Sequence, residues 1–122
     1  MPREVIAVDV GLELPADTDP RAAGGEVTVA LCGSWEHDGP CRWPHNSRIE
    51  TDSSPAHLRT LVVFPDHERG EVLERIETAL RSDERWSVVR FAAEAIADDE
   101  RALAHRLAEV ARDEAADGRS LS

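Results

Sequence analysis

The 122-residue chain carries 25 acidic residues against 14 arginines and no lysine, a formal net charge of −11. That balance excludes tight, non-specific binding to nucleic acid or to an anionic membrane surface, because such binding needs basic groups to neutralise phosphates. The length suits one compact domain, and no apolar run approaches the roughly 20 residues of a membrane helix. We expect a single α+β domain over residues 1–116 and a disordered tail over 117–122. The N-terminus lacks a signal-peptide pattern, so the expected location is the cytoplasm.

REVIAVDVGLEL (residues 3–14) places Ile6, Val8, Val10, Leu12 and Leu14 at period two, which predicts a strand. The Pro-, Asp- and Gly-rich stretch 15–25 reads as a loop. EVTVALC (26–32) reads as a second strand, with Val27, Val29 and Leu31 on one side, paired antiparallel with the first. Residues 47–51 suit a short strand and 52–57 a turn. LRTLVVF (58–64) is apolar on both faces and predicts a central, covered strand.

Pro65 and Asp66 then announce a helix to about residue 81, with Asp66 as cap and Glu68 in the first turn. Val72, Leu73, Ile76, Ala79 and Leu80 form its apolar stripe, and Glu71–Arg75 and Glu77–Arg81 are i,i+4 pairs on the wet side. RWSVVRF (85–91) predicts a strand, while 92–96 suits either its extension or a helix start. A last helix runs from Asp98 or Asp99 to residue 116, with Leu103, Leu107 and Val110 as its stripe. Asp98, Asp99 and Glu100 read as capping residues. The expected fold is a two-layer α+β sandwich: a mainly antiparallel sheet of four to five strands with two helices on one face.

Residues 32–46, CGSWEHDGPCRWPHN, hold both cysteines, two of the five histidines and two of the three tryptophans. They lie in the least acidic part of the chain: residues 27–65 carry four acids against three arginines. Three readings compete. Cys32, His37, Cys41 and His45 supply the four sulfur and nitrogen donors of a closed tetrahedral zinc site, with Glu36 or Asp38 available to orient an imidazole. Alternatively, Trp35 and Trp43 plug one end of the sandwich and the cysteines are inert. In the third reading Cys41, beside Arg42, is a nucleophilic thiol activated by His37 or His45.

Arg42, Arg48 and Arg59, with His45 and His57, suggest a pocket for a phosphate or carboxylate; the competing explanation is that the arginines balance local acids. The combined expectation is a small binding or regulatory protein. Zinc organises its loop, which presents Trp35, Arg42 and Trp43, together with Arg48 and Arg59, to a protein partner. A small enzyme acting on an anionic small molecule through Cys41 and His37 or His45 is the alternative, and an acidic decoy of nucleic acid a further one. A homodimer is compatible with the sequence; direct nucleic-acid or membrane binding is not expected.

Overall fold

The computed structural model describes residues 3–32 and 43–109. The chain runs β1 (Arg3–Glu13), α1 (Arg21–Cys32), β2 (His45–Glu50), β3 (Ala56–Pro65), α2 (Arg69–Arg81), β4 (Ser87–Glu94) and a third helix, α3 (101–109). The four strands form one sheet in the order β2-β3-β1-β4, and every neighbouring pair is antiparallel. The fold is therefore α+β. Its β-α-β-β-α-β order, with β3 inserted between β1 and β2, is that of the ferredoxin-like or split β-α-β arrangement.

One expected strand is a helix. Residues 26–32 belong to α1, which begins at Arg21 inside the stretch read as a loop. Two periodicities compete there. Val27, Val29 and Leu31 alternate, but Ala23, Val27 and Leu31 recur at spacing four, and these three are the buried apolar side chains of α1, while Val29 is only half-buried. Asp19 starts the helix by accepting the backbone N–H of Arg21 at 3.0 Å. The start of α2 also departs from expectation. Asp66 makes no capping bond; it opens a short 3-10 turn, Asp66–Glu68, that leads into the helix.

The other elements follow their patterns. β3 lies inside the sheet between β2 and β1, and Leu61, Val62, Val63 and Phe64 are all buried. α2 buries Val72, Ile76 and Leu80, and its outer side carries the Glu71–Arg75 and Glu77–Arg81 pairs at 3.1 and 2.9 Å. β4 takes in residues 92–94 as strand.

The strand register separates two faces. Ile6, Val8, Val10 and Leu12 stand opposite Val62, Thr60, Leu58 and Ala56. Together with Ala23, Val27 and Leu31 of α1 and Val72, Ile76 and Leu80 of α2, residues of this face form the main apolar core. Ala7, Asp9 and Gly11 point the other way, with Leu61, Arg59 and His57 as their partners on β3. Glu100 and α3 meet this second face: Arg59, Leu61, Glu100 and Leu103 line one small cavity of about 50 Å³. Residues 110–122, including Val110 and the expected tail, lie outside the described residues. Among the described residues, no helix is long and apolar enough to cross a membrane.

Candidate functional site

Of the residues singled out in the 32–46 segment, Trp35, His37, Cys41 and Arg42 lie outside the described residues, as does the side chain of Cys32. The backbone of Cys32 closes α1, and Trp43 leads into β2. The site is therefore built from the two ends of the segment and the elements that hold them.

Trp43 is a core residue and not a presented side chain: it is fully buried. Its indole N–H donates to Glu68 Oε1 at 2.8 Å, and the Arg75 guanidinium stacks on its ring at 5.0 Å. A buried indole needs an acceptor, and Glu68 supplies one. The tryptophan plug is thus realised at Trp43, beneath α2. It fixes the end of the segment: Pro44 follows, and its carbonyl accepts the Val63 N–H at 2.9 Å and starts the β2–β3 ladder.

His45 is the one expected zinc donor whose side chain is described. Its Nδ1 lies 3.0 Å from the Trp43 carbonyl oxygen. A carbonyl only accepts, so Nδ1 carries the proton and, in the neutral ring, Nε2 carries the lone pair. Nε2 faces α1, 3.2 Å from the Thr28 hydroxyl, which also lies 3.2 Å from the Gly24 carbonyl. Position 32 is one helical turn beyond Thr28, on the same side of α1. A ring nitrogen bonded to a backbone carbonyl is the usual way to orient an imidazole so that the other nitrogen can ligate a metal. Among the described residues, no group of three or more His, Cys, Asp or Glu side chains is arranged to hold a metal ion.

Arg48 and Arg59 stand opposite each other on β2 and β3, on the sheet face turned away from His45. Arg59 is not a presented group. Its Nε and Nη2 donate to the two carboxylate oxygens of Glu100 at 2.7 and 2.8 Å, and Nη1 donates to Asp9 at 3.1 Å. Glu94 lies 3.4 Å from the same Nη1. Asp9 also accepts from His57 Nδ1 at 3.2 Å and Arg90 Nη1 at 3.3 Å. Arg48 reaches Glu100 at 3.5 Å but leaves 65% of its side chain exposed.

Of the suggested anion pocket, Arg48, His57 and Arg59 line one cavity together with Asp9, Glu50 and Asp99, His45 is on the other sheet face, and Arg42 lies outside the described residues. Arg59 is held by three carboxylates, Glu100, Asp9 and Glu94, so it balances local acids. The bidentate Arg59 pair, helped by the Ala97 N–H, holds the Glu100 carboxyl down at about 2 against the opposing effect of burial. Glu100 does cap: it accepts the Ala97 N–H at 2.8 Å. The same carboxylate also ties the start of α3 to the sheet, a role the capping pattern does not reveal. Sequence reasoning missed this network, although one signal was visible. Asp9 is a lone acid inside an apolar strand, and a charge there needs partners.

Compared with protein-family models, curated proteins and solved structures, the chain matches none.

Proposed function

We propose that this chain is a small cytoplasmic binding or regulatory protein in which zinc organises the 32–46 segment into a recognition loop. Cys32, His37, Cys41 and His45 are the ligands, as thiolates and neutral imidazoles in a reducing compartment. The observation that carries the reading is the setting of His45. Its Nδ1–H is committed to the Trp43 carbonyl, and its Nε2 is turned toward the last turns of α1, where position 32 lies. Trp43 serves as the anchor of the loop rather than its contact surface. Trp35 and Arg42 are the side chains offered to a protein partner, and Arg48, exposed on β2, is a further candidate contact. The metal does no chemistry; it shapes a segment rich in glycine and proline.

Metal analysis of the purified protein tests this. One zinc per chain is expected, with a lower melting temperature after chelation and loss of the metal in His45→Ala. A zinc-free protein whose melting temperature ignores chelators defeats the reading. If that metal-free protein also carries a fast-reacting Cys41 thiol, the enzyme alternative takes its place.

A further inference from the structure

β4 is an edge strand, with β1 as its neighbour in the sheet. The ladder phase fixes which of its backbone groups face out. Val63 donates to Pro44, so β3 turns its odd-numbered residues toward β2 and its even-numbered ones toward β1. On β1 the even-numbered residues then bond to β3, and the odd-numbered ones face β4. Ala7, Asp9 and Gly11 stand opposite Glu94, Ala92 and Arg90, which leaves the N–H and C=O groups of Phe91 and Ala93 pointing away from the sheet. Among the described residues, nothing bonds to those groups. The chain leaving β4 does not run along this edge: Glu100 bonds to Arg59 on β3, so the segment turns across the sheet face.

A second, antiparallel β4 satisfies all of these groups in one register, with Phe91 of each copy opposite Ala93 of the other. Backbone groups alone select that register, yet it also matches the side chains. It sets Arg90 opposite Glu94 of the second copy, twice, at non-hydrogen-bonded positions where cross-strand side chains come closest. It sets the half-buried Phe91 against the small, exposed Ala93, and Ala92 against itself on the axis. Parallel, in-register pairing would stack Arg90 on Arg90 and Glu94 on Glu94. Sliding the antiparallel register by two residues sets Phe91 or Ala93 against itself and separates the opposite charges.

The bonds within one chain leave these charges free to pair across the edge. Arg90 Nη1 lies 3.3 Å from Asp9, and Glu94 Oε2 lies 3.4 Å from Arg59. Arg90 Nη2 and Glu94 Oε1 reach only each other, at 4.0 Å, with the two side chains 55% and 42% exposed. The edge is also neutral: residues 86–96 hold one arginine and one glutamate on a chain of net charge −11. Two copies that repel elsewhere can therefore meet here. The bulge opposite Gly11 and Leu12 confines the regular ladder to residues 90–94, so the contact is small. We infer that two copies of this chain join their β4 edges antiparallel about a two-fold axis at Ala92, making one continuous sheet from two four-stranded halves. The inference goes beyond the zinc reading and does not need it, since β4 carries no proposed ligand.

Sedimentation equilibrium of the full chain should show a monomer–dimer equilibrium. As concentration rises, hydrogen exchange should slow at the Phe91 and Ala93 amides, while the Ser47 and Ile49 amides on β2 stay unchanged. Ala93→Pro removes an outward N–H that β1 does not use, and should leave the chain monomeric with its thermal transition retained. Arg90→Glu and Glu94→Arg should each weaken self-association about tenfold, because each sets like charges face to face. Mixing those two variants should restore a dimer, now of unlike chains, since every facing pair is again of opposite sign. If Arg90→Glu does not fold, Ala93→Pro and the exchange pattern carry the test. A monomer at every concentration up to about 1 mM overturns the inference. So does a dimer indifferent to Ala93→Pro, no gain on mixing, or protection on β2 in place of β4. A dimer that chelation abolishes while the β4 amides stay unprotected is held by metal and overturns it too. Zinc content per chain, measured on the same samples, reports on the recognition loop separately.

Discussion

The two faces of the sheet are held by different physics. Against one face, α1 and α2 bury Ala23, Val27, Leu31, Val72, Ile76 and Leu80 with Trp43 and Trp86, and the polar pair of Ser47 and Thr60 is closed internally at 2.8 Å. On the other, Ala7, Leu61 and Val63 are also buried, but Asp9, Arg59 and Glu100 sit among them as charges. An apolar face tolerates small adjustments, because its attraction is spread over many contacts and has no direction. A buried charge network does not, because each member depends on its partner being present and ionised. The apolar face therefore supplies most of the stability, and the charged face decides where the segment after β4 docks.

The largest expected break is on the apolar side. Trp43→Ala removes the indole that fills the space beneath α2 and its hydrogen bond to Glu68, at a cost of about 5 kcal/mol in urea unfolding. A loss below about 2 kcal/mol would mean that the segment ends are fixed by something other than this plug. On the charged side, Arg59→Leu leaves Glu100 and Asp9 without their shared cation and should cost about 4 kcal/mol. Adding Glu100→Leu should recover most of that loss, since an apolar pair of similar size replaces a buried ion pair with little penalty. Loss without recovery would assign the cost to packing of the Arg59 stem and not to stranded charge.

Acid gives the next effect, again specific to the charged face. The Glu100 carboxyl is lowered from 4.5 to about 2 by the Arg59 hydrogen bonds. Its contribution is therefore complete above the unfolded value and is lost as the pH falls through the folded one. The size is about 3 kcal/mol. Urea unfolding of the parent and of Glu100→Gln, each from pH 5 to pH 2, isolates it from the other carboxylates: the gap between the two should close toward the acid end. A constant gap would mean that Glu100 titrates normally.

The same contrast explains how much was legible in the sequence. The apolar side was mostly readable because periodicity encodes it: β3 reads as a covered strand and α2 as a stripe with two i,i+4 pairs. α1 failed because its valines alternate while its buried positions recur every four residues, and only the sheet's demand for a covering layer decides between the two. The charged side was legible only in the lone Asp9 of an apolar strand, because its partners are remote in the chain. Asp9 and Arg59 are 50 residues apart, and Arg59 and Glu100 are 41 apart. Composition presents them as ordinary surface charges. The expected site divides similarly. Its sequence clustering is real, but Trp43 was pulled into the core and Arg59 into the ion network, because burial and pairing satisfy those groups better than exposure does.

Two glycines give the smallest effects and should separate the faces by sign. Gly11 lies on the charged face at the β1–β4 irregularity, where an added Cβ would come 3.3 Å from both Arg90 Cβ and Val89 Cγ2. Two side chains of the bulged strand close over it, so the neighbours must move outward. They carry the Arg90–Asp9 bond with them, and Gly11→Ala should cost about 1 kcal/mol. Gly24 lies in α1 above the apolar face, where its added Cβ meets only Ser47 Cβ at an ordinary 3.6 Å. Nothing there has to shift, and a helical alanine loses less chain entropy than a glycine, so Gly24→Ala should gain up to about 1 kcal/mol. Urea midpoints of the two variants, read against the parent, should move in opposite directions. Equal shifts of the same sign would show that the bulge adapts as freely as the helix, and that the charged face is less rigid than its bond network requires.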